Sequence, residues 1–205
     1  PCLAMLPPLD AIEKRKNIFE RPRSPIGLGY LRSHLLRASL EGHGKIVGFT
    51  PARSDGNASR LVASLAILLA QADRRTLVID LYRKDPRIAS MLAVKDDGGL
   101  SAWLATEDQE LKNCIGYTAL QELAVLGFGK VNHDIDDLLG RRPLAKELPK
   151  LLKDWDYILV NSPSIRFDWT LMLTLPAESL LIVTADYRNS GAGAVPAPAP
   201  TEPRP

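Results

Sequence analysis

The sequence is short of the residues that build several common kinds of site. It has only two cysteines, Cys2 and Cys114, too few for a disulfide framework or a thiolate metal centre, and such sparing use fits a reducing cytoplasm. Its histidines, His34, His43 and His133, lie far apart, so no metal site is expected from them. Long apolar runs are missing as well. The most apolar stretch, Leu61 to Ala70 with Ser64 inside it, falls well short of the ~20 residues that cross a bilayer, and no direct membrane span is expected. Excess charge of one sign is also absent. The net charge of +2, with Arg and Lys spread along the chain, gives no concentrated basic stripe, which argues against nucleic acid as a partner. No charged-then-apolar leader opens the sequence, which starts at Pro1 and is read as a processed or trimmed cytoplasmic polypeptide. Two motifs are incomplete. There is no Gly-x-Ser-x-Gly elbow, and Gly127-Phe128-Gly129-Lys130 lacks the remaining glycine of a dinucleotide fingerprint. The acidic stretch His133-Asp134 with Asp136-Asp137 reads as a solvated turn before a cation site.

What is present describes one α/β domain with tails. At 205 residues, 45% hydrophobic and 24% charged, the chain can bury a full core. Residues 1–24 mix proline and charge and read as a flexible arm. Residues 25–188 form the domain. Residues 189–205 are a Gly/Ala/Pro-rich tail, semi-extended and outside any core. No internal repeat is found.

Within the domain, Leu28, Leu31, Leu35 and Leu36 recur at helical spacing, predicting a helix over 25–40 that Gly42 and Gly44 end. Lys45 to Thr50 reads as a buried strand. Leu61, Leu65, Leu68 and Leu69 put an apolar stripe on the next helix, with Arg74-Arg75 expected at its C-terminal end. Thr76 to Asp80 is a second strand, ending in an acid. Strand, loop, helix, strand is a βαβ order, which brings the loop and Asp80 to one carboxyl edge of a parallel sheet. Short helices are predicted over 86–92 and 100–104, and a strand over 123–126. A further helix is sketched by Leu144, Leu148, Leu151 and Leu152, with Pro149 kinking it or shifting its start. Strands over 156–161 and 180–184 are apolar nearly throughout, as doubly covered parallel strands are.

The loop between the first strand and its helix, Phe49 to Arg60, stands where a phosphate loop belongs. Such a loop needs glycines for close backbone approach, a lysine for the phosphate oxygens and a Ser or Thr for Mg²⁺. Here Asn57 replaces the preceding glycine, Ala58 replaces the lysine, Ser59 keeps the hydroxyl and Arg60 follows it.

These pieces, in this order, resemble the cytoplasmic domain of bacterial tyrosine kinases of the capsule and exopolysaccharide type, relatives of the MinD/ParA branch of P-loop ATPases. The likeness rests on Ala63 to Ala66 and Ala70 to Asp80, on Asp85-Pro86, Gly99-Leu100-Ser101, Val125 to Gly129, Asp137-Leu138-Leu139 and Trp155 to Pro163, and on Ser24-Pro25-Ile26 with Tyr30. It covers residues 24–186. It implies a P-loop NTPase-like, mostly parallel sheet flanked by helices in a single domain.

The resemblance also supplies a measure of loss. ATP chemistry in that family depends on the loop lysine, a hydroxyl on Mg²⁺, paired acids after the strand ending at Asp80, and another acid where Asn161 stands. Ser59 and Asp80 match, but Ala58 replaces the lysine, Tyr82 the second acid and Asn161 the later one. Asp55, Gly56, Asn57, Ala58, Ser59, Arg60, Asp80 and Asn161 are therefore expected to line a vestigial nucleotide pocket with no catalytic residue, no metal and no cofactor. In purely structural terms, Asp80 and Asn161 satisfy backbone donors at strand ends, Asp55-Gly56-Asn57 is a tight turn, Tyr82 is packing or rim, and Arg53 and Arg60 are solvated. Leu28 and Leu31 stand near the charged members of the family's ring-assembly helix, which puts that route to a homo-oligomer in doubt. The family's tyrosine tail is replaced by proline-rich sequence, and its last strand and helix are expected to be missing after Tyr187.

The resemblance implies a non-catalytic, kinase-like protein serving polysaccharide synthesis or export, partnered by an inner-membrane chain-length or synthase protein and recruited to that membrane. Two alternatives stand beside it. One is a divergent ATPase or tyrosine kinase using ATP and Mg²⁺, with Arg53 or Arg60 in place of the lysine. The other is a partitioning-type scaffold whose target is another ATPase.

Overall fold

The computed structural model describes residues 26–40, 46–51, 57–83, 85–95, 98–130, 138, 141–164, 175–176 and 180–184. The expected arm (1–24), the tail (189–205) and the loop residues Arg53, Asp55 and Gly56 lie outside the described residues, as do His43 and the acidic stretch at 133–137.

Helix α1 spans Ile26–Leu40, strand β1 Ile46–Pro51, α2 Asn57–Ala70, β2 Thr76–Asp80, α3 Ile88–Met91 and α4 Gly99–Ala105. Strand β3 spans Gly116–Tyr117, β4 Leu123–Leu126, α5 Leu148–Leu151, β5 Tyr157–Asn161 and β6 Leu180–Thr184. The six strands form one sheet in the order β3-β4-β2-β5-β1-β6. All neighbours are parallel except β3, which runs antiparallel to β4. Strand β5 therefore lies between β1 and β2, and the βαβ connection through α2 steps over it.

Side chains leave the sheet alternately to two cores. Val47, Phe49, Val78, Val125, Tyr157 and Leu159 join α1, α2 and α3 on one face. Leu77, Ile79, Leu126, Ile158 and Val160 join α4 and α5 on the other, with Trp103, Phe128 and Trp155. Covering both faces is what makes these strands read as continuous apolar runs. Each fully buried Leu, Ile, Val or Phe contributes about 1.5–3 kcal/mol of transfer free energy.

Helix α2 departs from the expected single stripe: every residue from Leu61 to Ala70 is buried. The sheet covers one side of it and α1 lies against another. Small residues such as Ala63, Ser64 and Ala66 leave room for that close packing. Leu28, Leu31 and Leu35 of α1 point into the same core, and the buried Tyr157 hydroxyl donates to Leu35 O at 3.2 Å. Leu28 and Leu31 are thus core residues.

Two local expectations are corrected, and a third, at Pro149, resolves as a shifted helix start. Asn57 is the first residue of α2, so the predicted turn does not extend to it. Arg74 and Arg75 lie beyond α2, which ends in a Schellman closure: Asp73 takes φ 56°, its N–H donates to Ala70 O, and Arg74 N–H donates to Leu69 O. Pro149 sits in the first turn of α5, where a missing N–H costs nothing, so the expected 144–152 helix is a 3-10 turn over Leu144–Lys146 followed by α5.

Candidate functional site

The parallel register brings the ends of three strands level. Phe49 of β1 and Asp80 of β2 both pair with Asn161 of β5. Leu81 N–H donates to Asn161 O at 2.7 Å, and Ser162 N–H donates to Phe49 O at 2.9 Å, so the sheet stays bonded one residue past its strands. The first turn of α2 opens onto the same edge.

Asp80 is fully buried. Its Oδ1 accepts the Asn161 Nδ2–H at 2.8 Å and the Tyr82 N–H at 3.1 Å. Its Oδ2 accepts the Arg87 and Ile88 N–H groups, both at 3.1 Å. An ionised carboxylate offers roughly four lone-pair sites, and all are engaged. Asp80 thereby anchors the loop from β2 to α3, in line with its structural reading. Burial pushes its carboxyl above the ordinary value, against the pull of the Asn161 amide and of the Ile88, Tyr82 and Arg87 N–H groups.

Asn161 differs from its structural reading. It does not satisfy backbone donors through its side chain; it donates, to Asp80 and also to Ser59 Oγ at 3.1 Å. Both amide hydrogens are used. The reverse amide orientation would set a carbonyl oxygen against a carboxylate at the same distance. Asn161 Oδ1 is buried without a partner among the described residues.

Of the eight expected pocket residues, the structure brings together Ser59, Asp80 and Asn161. Ala58 is buried beside them in the first turn of α2, and Arg60 is partly buried one residue beyond Ser59. Tyr82 takes part through its main chain. Sequence reasoning missed Thr50, whose Oγ1 donates to Pro163 O at 3.0 Å, and Ser164, whose buried Oγ has no partner among the described residues. The run Asn161-Ser162-Pro163-Ser164, polar after four apolar residues, was the available signal. A separate cleft of about 410 Å³, lined by residues such as Lys95, Gln109, Cys114 and Gly127, contains none of the expected pocket residues.

Mg²⁺, which the fold family implies, needs oxygen lone pairs facing it. Asp80 has none to spare, and Asn161 turns hydrogens toward both Asp80 and Ser59. The residues present do not fit the ion. Among the described residues, no group of His, Cys, Asp and Glu is placed to hold a metal, and no helix is long and apolar enough to cross a membrane.

Two stretches that carried the resemblance meet at the next strand end. The N–H groups of Leu100 and Ser101, at the start of α4, donate to the carbonyls of Gly127 and Phe128. Ser101 Oγ donates to Lys130 O at 2.9 Å. Gly129 holds φ 76°, and a Cβ there would lie 1.9 Å from Gly98 O.

No family model matches the chain. It is 24% identical over 176 residues to CapB of Staphylococcus aureus, classed with the tyrosine-protein kinases, covering 84% of this chain and 77% of CapB. It is 28% identical over 133 residues to the tyrosine-protein kinase Etk of Escherichia coli, covering 65% of this chain and 18% of Etk; the chain thus spans under a fifth of that relative's length. Among solved structures, the chimerical protein CapA2B2 superposes with a TM-score of 0.77 at 20% identity, over 93% of this chain and 83% of that one. The Etk kinase domain gives 0.72 at 19%, over 95% and 94%. MinD of Pyrococcus horikoshii, in its Mg-ADP complex, gives 0.56 at 21%, over 68% and 57%. The chain is thus similar in sequence to bacterial tyrosine-protein kinases, and it shares its fold with kinase domains and with MinD.

Proposed function

We propose that this chain is a catalytically inactive tyrosine-kinase-like protein, a pseudo-ATPase, that acts by protein-protein contact in bacterial exopolysaccharide synthesis or export. One observation carries the loss of catalysis: the Asn161 amide bonds Ser59 and Asp80 together, where an active relative needs oxygens turned to a metal. Ala58, at the position of the loop lysine, supplies no charge to a triphosphate. No cofactor is required on this reading. The vestigial pocket is that of Asp55, Gly56, Asn57, Ala58, Ser59, Arg60, Asp80 and Asn161.

The pathway follows from the likeness to capsular and exopolysaccharide kinases, since fold alone licenses none. It gives as partner the cytoplasmic face of an inner-membrane chain-length or synthase protein, and as working place the cytoplasm against that membrane.

Calorimetric titration with Mg-ATP, paired with a turnover assay, tests the first half. Neither micromolar binding nor phosphate release is expected. Micromolar affinity with turnover would overturn the reading in favour of a divergent ATPase or kinase using Arg53 or Arg60. Co-purification with the cytoplasmic segment of a membrane chain-length protein tests the second half, with retention expected. Selective capture of a partner ATPase would instead favour the partitioning-type scaffold.

A further inference from the structure

We infer that the cleft between α3, α4, β3 and β4 is a binding site for a small organic anion, a carboxylate or a phosphate ester with an uncharged body. The cleft contains none of the residues of the vestigial pocket, so the inference stands apart from the inactive reading above.

The cleft lies beside the carboxyl end of β4, the side of a parallel sheet on which ligands collect. Its volume of about 410 Å³ falls within the range of small-molecule sites. Separate stretches of chain form its walls, and each is fixed by bonds of its own. Val94 N–H donates to Ala89 O at 2.9 Å behind α3, and Leu100 N–H ties the start of α4 to Gly127 O at 2.8 Å. Arg142 Nη2–H holds Gln109 O at 2.7 Å, and Asn113 N–H donates to Glu110 O at 3.1 Å. The space is therefore formed before any ligand arrives, which spares binding the cost of ordering the walls.

Charge selects the ligand. Among the described lining residues Lys95 carries the only formal charge, and no Asp or Glu is present; Asp96 and Asp97 lie outside the described residues. Lys95 is exposed and has no acidic partner among the described residues. Glu110, next in the chain to Gln109, is already paired with Lys112 at 2.8 Å. Burial pushes the Cys114 thiol up, against the pull of the nearby Arg142 guanidinium, so the sulfur is neutral near pH 7 and adds no negative charge. Gln109 gives one amide hydrogen to Cys114 Sγ at 3.1 Å. Its carbonyl oxygen and the side-chain amide of Asn113 have no partner among the described residues. An ammonium with two amides suits a carboxylate or a phosphate. The short apolar side chains of Ala89, Val94 and Ala102 suit an uncharged body.

The test is titration of the full chain, carrying Cys2→Ser so that thiol reagents meet Cys114 alone, followed by amide NMR. The probes are benzoate, glucose 1-phosphate, benzamide and benzylamine. At least one of the two anions is expected to shift the amides of Gly98, Gly116 and Gly127, and which one does so separates a carboxylate from a phosphate ligand. Benzamide and benzylamine are expected to bind at least fivefold more weakly. Lys95→Ala should weaken the anion about fivefold, the upper end for an exposed ion pair. Ala102→Leu, which fills the cleft, should abolish binding, and so should N-ethylmaleimide on Cys114, which blocks the cleft without a change of sequence. Silence of those amides toward both anions would overturn the inference. So would benzylamine binding as tightly as benzoate, binding that survives the blocked Cys114, or shifts confined to the first turn of α2. Mg-ATP turnover would sink the functional reading and leave this inference standing.

Discussion

Arg75 and Asp156 are joined through both their side chains and their main chains. Arg75 N–H and Nη2–H donate to the two Asp156 carboxylate oxygens, each at 2.9 Å, while Arg75 O accepts the N–H groups of Asp156 and Tyr157. The pair therefore pins the starts of β2 and β5 in register. That register is what sets Asp80 level with Asn161 five residues on, since a slip of one residue would turn each strand's side chains to the opposite core.

The ion pair has a pH signature. The Arg75 side-chain hydrogen bond holds the Asp156 carboxyl below its ordinary value. An acid whose pKa is lowered on folding adds stability that is present well above the ~3.9 of a free aspartate and is lost as pH falls through the lowered folded value. The Tm gap between wild type and Asp156→Asn is expected to be largest near neutrality and to close toward pH 3. A gap that ignores pH would mean the side chain acts through packing alone.

Gly129 is expected to tolerate no side chain. Its φ of 76° disfavours any L-residue, and the added Cβ would meet backbone at Gly98 O and the hydroxyl of Ser101. Gly129→Ala should cost about 3 kcal/mol or more in urea unfolding. Because Gly98 leads into α4, loss of Trp103 fluorescence protection should precede global unfolding. A cost under about 1 kcal/mol would show that the junction relaxes.

Arg142 closes α4 from a distance in sequence. Its guanidinium donates to Trp103 O, Thr106 O and Gln109 O at 2.6–2.7 Å, and it sits 4.1 Å from the centroid of the Trp103 ring. The last carbonyls of a helix lack intrahelical partners; Trp103 O is one of them, Thr106 caps the helix and Gln109 lies in the loop beyond it, and one fork of donors ties all three together. Arg142→Ala should cost roughly 2–3 kcal/mol. Arg142→Lys should recover less than half of that, since an ammonium cannot span the same fork. Full rescue by lysine in chemical denaturation would reduce the contact to simple charge.

The strands were largely legible because both sheet faces are covered. Thr76 to Asp80, Leu123 to Leu126 and Leu180 to Thr184 coincide with the apolar runs that predicted them, β1 is shifted by one residue at each end, and β5 starts one residue late. Strand β3 left no trace, since Gly116 and Tyr117 are too few to show alternation. The position of β5 between β1 and β2 is a property of topology, and local pattern does not report it. At the site, Asp80 and Asn161 announced themselves as polar ends of apolar strands. Their union with Ser59 did not, because Ser59 and Asn161 are 102 positions apart and an amide reads the same in sequence whether it accepts or donates. Arg142 was equally silent, its acceptors being main-chain carbonyls that no residue type marks.

The Ser59–Asn161 bond offers a test of whether the cluster is a network or merely three neighbours. Ser59→Ala leaves one buried Asn161 N–H without its acceptor, an expected cost of about 1–2 kcal/mol. Asn161→Ala removes both donors, strips Asp80 of a charge-assisted bond and opens a small void, so its cost should be larger, about 3 kcal/mol. Once Asn161 is gone, Ser59 has no amide left to serve, and its further removal should cost little. The double variant is therefore expected to fall short of the sum of the single costs by roughly 1 kcal/mol, within the range for residues sharing a hydrogen bond. Additive costs in a urea-denaturation cycle would mean that Asn161 holds Asp80 alone, and that α2 is bound to this sheet edge by its apolar packing and not through Ser59.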